Sequence, residues 1–198
     1  MDVNTTILVI SILVAFSGWA KFLYDIFTRN PKIHGRIFNV IVGGMSNPKN
    51  QSEKYSAFAV YLYLTNERKN TVQILEYELE IECDNIKRKM ERAYGVQTVK
   101  DWRFSSDKHN IDIPNFNEKL IYAYNKPVEY GIPLHGFVLF VSREEKYYLN
   151  VQKADLVKYH VTLIDVLGKK HRIVTSQKEF ANINLLQDIA GIRLTELQ

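Results

Sequence analysis

Apolar positions fall into two regimes along the chain. Fourteen consecutive residues, Ile7 to Ala20, carry no charge, and from Ile33 onward the pattern changes to a period of two. Short runs of aromatic and β-branched residues are then separated by Gly, Pro, Asn and Asp. The first regime predicts a hydrophobic helix and the second a β-protein. With its flanks, Thr5 to Tyr24 reaches the ~20 residues needed to cross ~30 Å of hydrocarbon. The expectation is therefore an N-terminal transmembrane helix and amphipathic stalk over residues 5–28, after a short tail at 1–4.

In that expectation Ile7, Leu8, Ile10, Leu13 and Phe16 lie in the bilayer. Trp19 and Tyr24 form an aromatic belt, and Lys21 snorkels to the headgroups. Trp19, Phe22, Leu23, Ile26 and Phe27 continue one apolar face beyond the membrane edge. A cleaved signal peptide is the rival, since fourteen residues also fit an apolar signal core. The start, Met1-Asp2-Val3-Asn4, lacks Lys and Arg, and Trp19 occupies the place of a small-residue cleavage signal, so a retained signal-anchor is expected. Arg29, Lys32, Arg36 and Lys49 follow without an acid, whereas Asp2 is the lone charge ahead. This asymmetry predicts a single-pass protein with its domain on the cytoplasmic side, and Arg29, Lys32 and Arg36 become candidate contacts to anionic lipid.

After a linker at 29–36, residues 37–176 read as one β domain. Tyr55–Thr65 is apolar on both faces and therefore predicted to be central, as is Gly136–Ser142. Thr71–Cys83 sets Leu75, Tyr77, Leu79, Ile81 and Cys83 on one face and Glu76, Glu78, Glu80 and Glu82 on the other. Carboxylates at that spacing stand ~7 Å apart in a line, which suits a solvated face better than a chelating cluster.

Residues 85–94 admit two readings. A tight turn at Asp84-Asn85 would place Glu82 opposite Lys87 and Glu80 opposite Lys89. A short helix is the expectation, because a hairpin sets Arg88 and Arg92 on the core side. Three weak strands are predicted at Trp102 to Phe104, Ile111 to Ile113 and Leu120 to Tyr124. Leu156–Val166 and Lys170–Thr175 form a hairpin across Leu167–Lys169. Residues 177–198 hold a C-terminal helix and tail, introduced by a capping box at Ser176 and Glu179 and ending near Gly191. About eight strands in one domain mean a sandwich, with a small barrel as the alternative.

The run Gly131-Ile132-Pro133-Leu134-His135-Gly136-Phe137-Val138-Leu139-Phe140, followed by the hairpin Val161–Val174 with Asp165 and Gly168, resembles the closing strands of immunoglobulin-like β-sandwich modules in membrane-anchored bacterial proteins. The resemblance covers the last third of the domain. It implies a fold and carries over no binding or catalytic residue. Such modules often lie outside the cell, against the charge asymmetry, which is retained as the argument specific to this chain.

Composition narrows the chemistry. A single cysteine, Cys83, excludes an intramolecular disulfide and a cysteine-built zinc site. No Gly-x-Ser-x-Gly turn or phosphate-cradling loop occurs, and His34, His109, His135, His160 and His171 show no ligand spacing. No catalytic, cofactor-binding or metal residue is therefore expected. His160 could meet a distant carboxylate in three dimensions. Lys87-Arg88-Lys89 and Lys169-Lys170-His171-Arg172 are basic, but 26 basic against 22 acidic side chains argue against nucleic acid.

The sequence thus predicts a membrane-anchored, non-enzymatic interaction or sensing module, with the lipid bilayer and a protein or small molecule as partners. Two alternatives stand beside it. One is a ligand-responsive membrane effector that forms homo-oligomers through its stalk and span, and the other an extracytoplasmic envelope or adhesion module.

Overall fold

The computed structural model describes residues 11, 14–24, 31–46, 54–93, 100–105 and 109–196. Residues 14–24 form a helix, α1, and ten strands and two further helices follow. They are β1 (Ile33–Ser46), β2 (Lys54–Asn66), β3 (Ile74–Cys83), β4 (Ile86–Arg92), β5 (Trp102–Ser105), β6 (His109–Ile113), β7 (Leu134–Ser142), α2 (Tyr147–Lys153), β8 (Val157–Asp165), β9 (Lys170–Ser176), α3 (Ile183–Ala190) and β10 (Arg193–Glu196).

Seven strands make one antiparallel sheet in the order β1-β2-β7-β4-β3-β8-β9. The sheet curls until β9 returns to β1: a side chain at Gly35 of β1 would overlap Ile173 of β9. The architecture is therefore a nearly closed, barrel-like sheet in place of the expected sandwich. Two bulges assist the curl, because an extra residue bends a strand and raises its twist. One lies between Ile37 and Asn39 of β1, the other between Ile74 and Glu76 of β3.

Each bulge also reverses the in-out alternation. Ile37 and Val40 both enter the barrel core, while Ile41 faces out. In β3 the reversal buries Ile74 and leaves Leu75 59% exposed, although period two had grouped Leu75 with Tyr77, Leu79 and Ile81.

The two strands apolar on both faces are neighbours. Phe58, Val60, Leu62 and Leu64 of β2 and Val138 and Phe140 of β7 fill the barrel. Their opposite faces carry Ala57, Ala59, Tyr61, Phe137 and Leu139 into a second core. A three-stranded sheet, β10-β6-β5, and α3 cover that core with Phe104, Ile113, Leu186 and Ala190.

Residues 86–92 form a strand where a helix was expected. Asp84 and Asn85 have φ of 49° and 66°, the left-handed pair of a two-residue hairpin turn. Glu80 faces Lys89 and Glu82 faces Lys87. The objection to the hairpin was arginine on the core face, and aromatic rings resolve it. The Arg88 guanidinium lies 4.9 Å from the Tyr147 ring centre, and that of Arg92 lies 4.2 Å from Tyr122 and 5.4 Å from Tyr77. Met90, which lies between the two arginines in the strand, is buried.

Among the described residues no helix is long and apolar enough to cross a membrane. The expected transmembrane helix, and with it the single-pass signal-anchor and cytoplasmic-facing placement, is corrected accordingly. An uncharged run measures apolarity alone, whereas a span is judged on helix length as well. Phe16, Trp19, Lys21 and Tyr24 are exposed on α1, while Ile7, Leu8, Ile10, Leu13 and Arg29 lie outside the described residues.

The β8–β9 turn is organised by Asp165, which is fully buried. One carboxylate oxygen accepts the Leu167 and Lys169 amides at 2.9 Å each, and the other meets His171 Nε2 at 2.9 Å. Burial pushes the carboxyl pKa up, but the His171 and backbone hydrogen bonds together outweigh it and hold it below the ordinary value.

Because the folded pKa is depressed, the Asp165 contribution is present above the unfolded value of about 3.9 and is lost as pH falls through the folded one. Asp165→Asn should lower stability by about 1–3 kcal/mol at neutral pH and flatten the acid limb. Urea unfolding across a pH series measures both, and an unchanged acid limb would contradict the assignment. Asn85→Gly should raise stability by about 0.5 kcal/mol, read as a higher thermal midpoint, because glycine takes the left-handed turn position without strain.

Candidate functional site

Glycine at position 136 lines a cleft formed among the described residues. A Cβ there would lie 2.7 Å from the Lys119 carbonyl oxygen and 2.8 Å from the Ile121 amide. The bare backbone of β7 therefore admits the segment that runs from the short helical turn Phe116–Lys119 through Leu120. Leu120 bridges to Phe137, and the Ile121 amide donates to the Phe137 carbonyl at 3.0 Å. The expected strand at Leu120 to Tyr124 is otherwise turn.

Between this segment, the start of β7 and the end of α3 lies an opening of about 610 Å³. Its apolar lining includes Leu120, Ile132, Leu134 and Ile189, with Tyr124 at the mouth. Its polar and charged lining comprises Tyr61 of β2, His135 of β7, Lys119 and the exposed Glu118, Lys126 and Glu129.

Tyr61 is held between the two strands. Its ring packs edge-on against Phe137 at 4.8 Å, and its hydroxyl lies 2.7 Å from His135 Nδ1. Burial pushes the phenol pKa up to about 12, so it stays protonated at neutral pH. The His135 ring stacks on Tyr63, with centres 6.3 Å apart and planes 12° from parallel.

Lys119 is half-buried and donates to the Gly191 carbonyl at 3.2 Å. Gly191 terminates α3 in the left-handed conformation, so the ammonium sits at the negative end of that helix. Burial, and then the Arg193 charge, draws its pKa below the ordinary lysine value despite weaker opposing pulls from Glu118 and Asp101.

Of the expected site residues, the described ones, Phe16, Trp19, Lys21, Tyr24, Lys32 and Arg36, do not line this cleft. Lys32 pairs with Glu67 at 2.7 Å, and Arg36 lies over the Phe38 ring at 5.5 Å. The four glutamates of β3 run along an ion-paired face: Lys87 lies 3.5 Å from Glu80 and 3.7 Å from Glu82, Lys158 lies 3.3 Å from Glu82, and Lys89 contacts Glu78. No group able to hold a metal ion occurs among the described residues.

His160 does meet a distant carboxylate. Its Nε2 is 3.1 Å from Glu82 and its Nδ1 is 3.2 Å from Arg172, so both ring nitrogens are engaged within the sheet. The basic run at 169–172 is likewise engaged, through Lys169 with the Pro31 carbonyl, His171 with Asp165 and Arg172 with His160. Sequence reading missed Lys119, Tyr61 and the role of His135. The available signal was Gly136 beside His135, since a glycine within a strong strand marks close backbone approach.

No family model matches the chain, and no curated protein matches it. The solved structure of a Bordetella pertussis protein provisionally called ApaA is similar over 75% of this chain and 93% of its own, at 9% identity and a TM-score of 0.33. That likeness carries no argument about this molecule.

Gly136→Ala should destabilise the protein by about 1–3 kcal/mol, because the added methyl meets backbone that cannot rotate away. Denaturant midpoints measure this, and a neutral result would refute the close packing of residues 119–121 on β7.

Proposed function

We propose that the chain is a non-enzymatic binding module whose cleft between β7, the 119–121 segment and α3 receives a small molecule. The observation that carries this reading is the cleft itself. Its volume of about 610 Å³ falls in the ~300–1,000 Å³ range of ligand pockets, and it combines apolar walls with a few convergent polar groups.

Rigid elements set Tyr61, His135 and Lys119. Tyr61 and His135 stand on adjacent strands in direct register through Leu62 with Gly136 and Tyr63 with His135, and Lys119 is tied to the end of α3. A pre-ordered site loses little conformational freedom when a ligand enters. Binding is favoured over proton chemistry by the Tyr61 pKa of about 12, far from a working acid at neutral pH.

Amide chemical shifts of the full chain test the reading. A screen of small amphipathic compounds should yield hits whose largest shifts fall at Leu134–Gly136 and Ile189–Gly191. Hits confined to other faces of the molecule would sink the assignment.

A further inference from the structure

We infer that the ligand is a small organic monoanion with an apolar body, its acidic group placed at Lys119. This rests on the reading of the cleft as a binding site and adds the chemical class of its occupant.

The argument begins with charge compensation. An ammonium has three donors, and Lys119 directs one to the Gly191 carbonyl. No carboxylate lies within ion-pairing distance of it among the described residues. Burial and Arg193 both oppose its charge. A half-buried cation in that setting gains from any anion brought beside it, and gains more than it would in water because the local dielectric is lower.

The rest of the lining sets the form of the partner. Glu118 and Glu129 also line the cleft but are exposed, and the charges of Glu118 and Asp101 offset those of burial and Arg193 only in part. Lys126, 5.4 Å from the Tyr124 ring, is a second cation at the mouth. Leu120, Ile132 and Ile189 offer hydrocarbon surface, and Ile132 and Ile189 remain 58% and 43% exposed. One half-buried ammonium with no bidentate arginine fork suits a single negative charge better than a phosphate dianion. The apolar walls call for a hydrocarbon or aryl body attached to it.

Two dyes with the same apolar body separate the terms: 8-anilinonaphthalene-1-sulfonate and the uncharged N-phenyl-1-naphthylamine. Affinities are taken from amide shifts of Leu134–Gly136 and Ile189–Gly191 in the full chain, so that dye resting on the exposed apolar side chains of α1 is not counted. The sulfonate should bind at least about tenfold more tightly, the value of one charge-assisted hydrogen bond. Lys119→Met should reduce that preference to about twofold or less, Lys119→Arg should keep most of it, and high salt should weaken the sulfonate alone.

Equal affinities in the wild-type protein, or a preference that survives Lys119→Met, would overturn the anion assignment and leave the cleft as a binding site. If neither dye moves these amides, the cleft reading falls with it. The wild-type ratio decides the matter even if Lys119→Met fails to fold.

Discussion

Two adjacent strands that are apolar on both faces govern this structure. β2 and β7 cannot leave either face in water, so one face must be filled and the other roofed. The inner face is filled when the remaining strands curl round to put Tyr77, Leu79, Ile81, Val161 and Leu163 against it. The outer face is roofed by β5, β6, β10 and α3 through Phe104, Ile113, Leu186 and Ala190. Burial of this kind is worth ~25 cal/mol per Å² of apolar surface, which makes two-sided cover the dominant demand on the chain.

The cleft is a consequence of that roof. α3 and the 116–121 segment converge on β7 because they cover its outer face, and Gly136 lets the segment approach to backbone contact. Where the roof stops, its edges leave an opening. The end of α3 presents a carbonyl there, and Lys119 answers it. The edge of the cleft thus carries the left-handed Gly191 that ends α3 and the half-buried Lys119 that donates to its carbonyl.

Polar groups on the core side of the barrel follow another logic. Arg88 and Arg92 share the side of β4 that buries Met90, yet each guanidinium lies over a tyrosine ring. A planar cation stacks on an aromatic ring while its stem covers apolar surface, so an inward arginine is compatible with a strand. The helix expected there gave those arginines an outward face, and that reason lapses once Tyr122 and Tyr147 are in place. Their positions, 30 and 59 residues beyond Arg92 and Arg88 in the chain, are invisible to any local pattern.

By itself the sequence determined the mainly β character of the chain, the two-faced character of Tyr55–Thr65 and Gly136–Ser142, the β8–β9 hairpin and the helix stop at Gly191. All of these are written in periodicity or in single residues with a required backbone shape. It also contained the pairing of Glu80 with Lys89 and Glu82 with Lys87, since a two-residue turn sets the register of everything beyond it. Only the tertiary structure decided that one sheet closes on itself, that bulges expel Leu75 and admit Ile74, and that Lys119 reaches a carbonyl 72 residues away. Closure, parity shifts and cleft geometry arise from contacts between distant segments, and no window of neighbouring residues contains them.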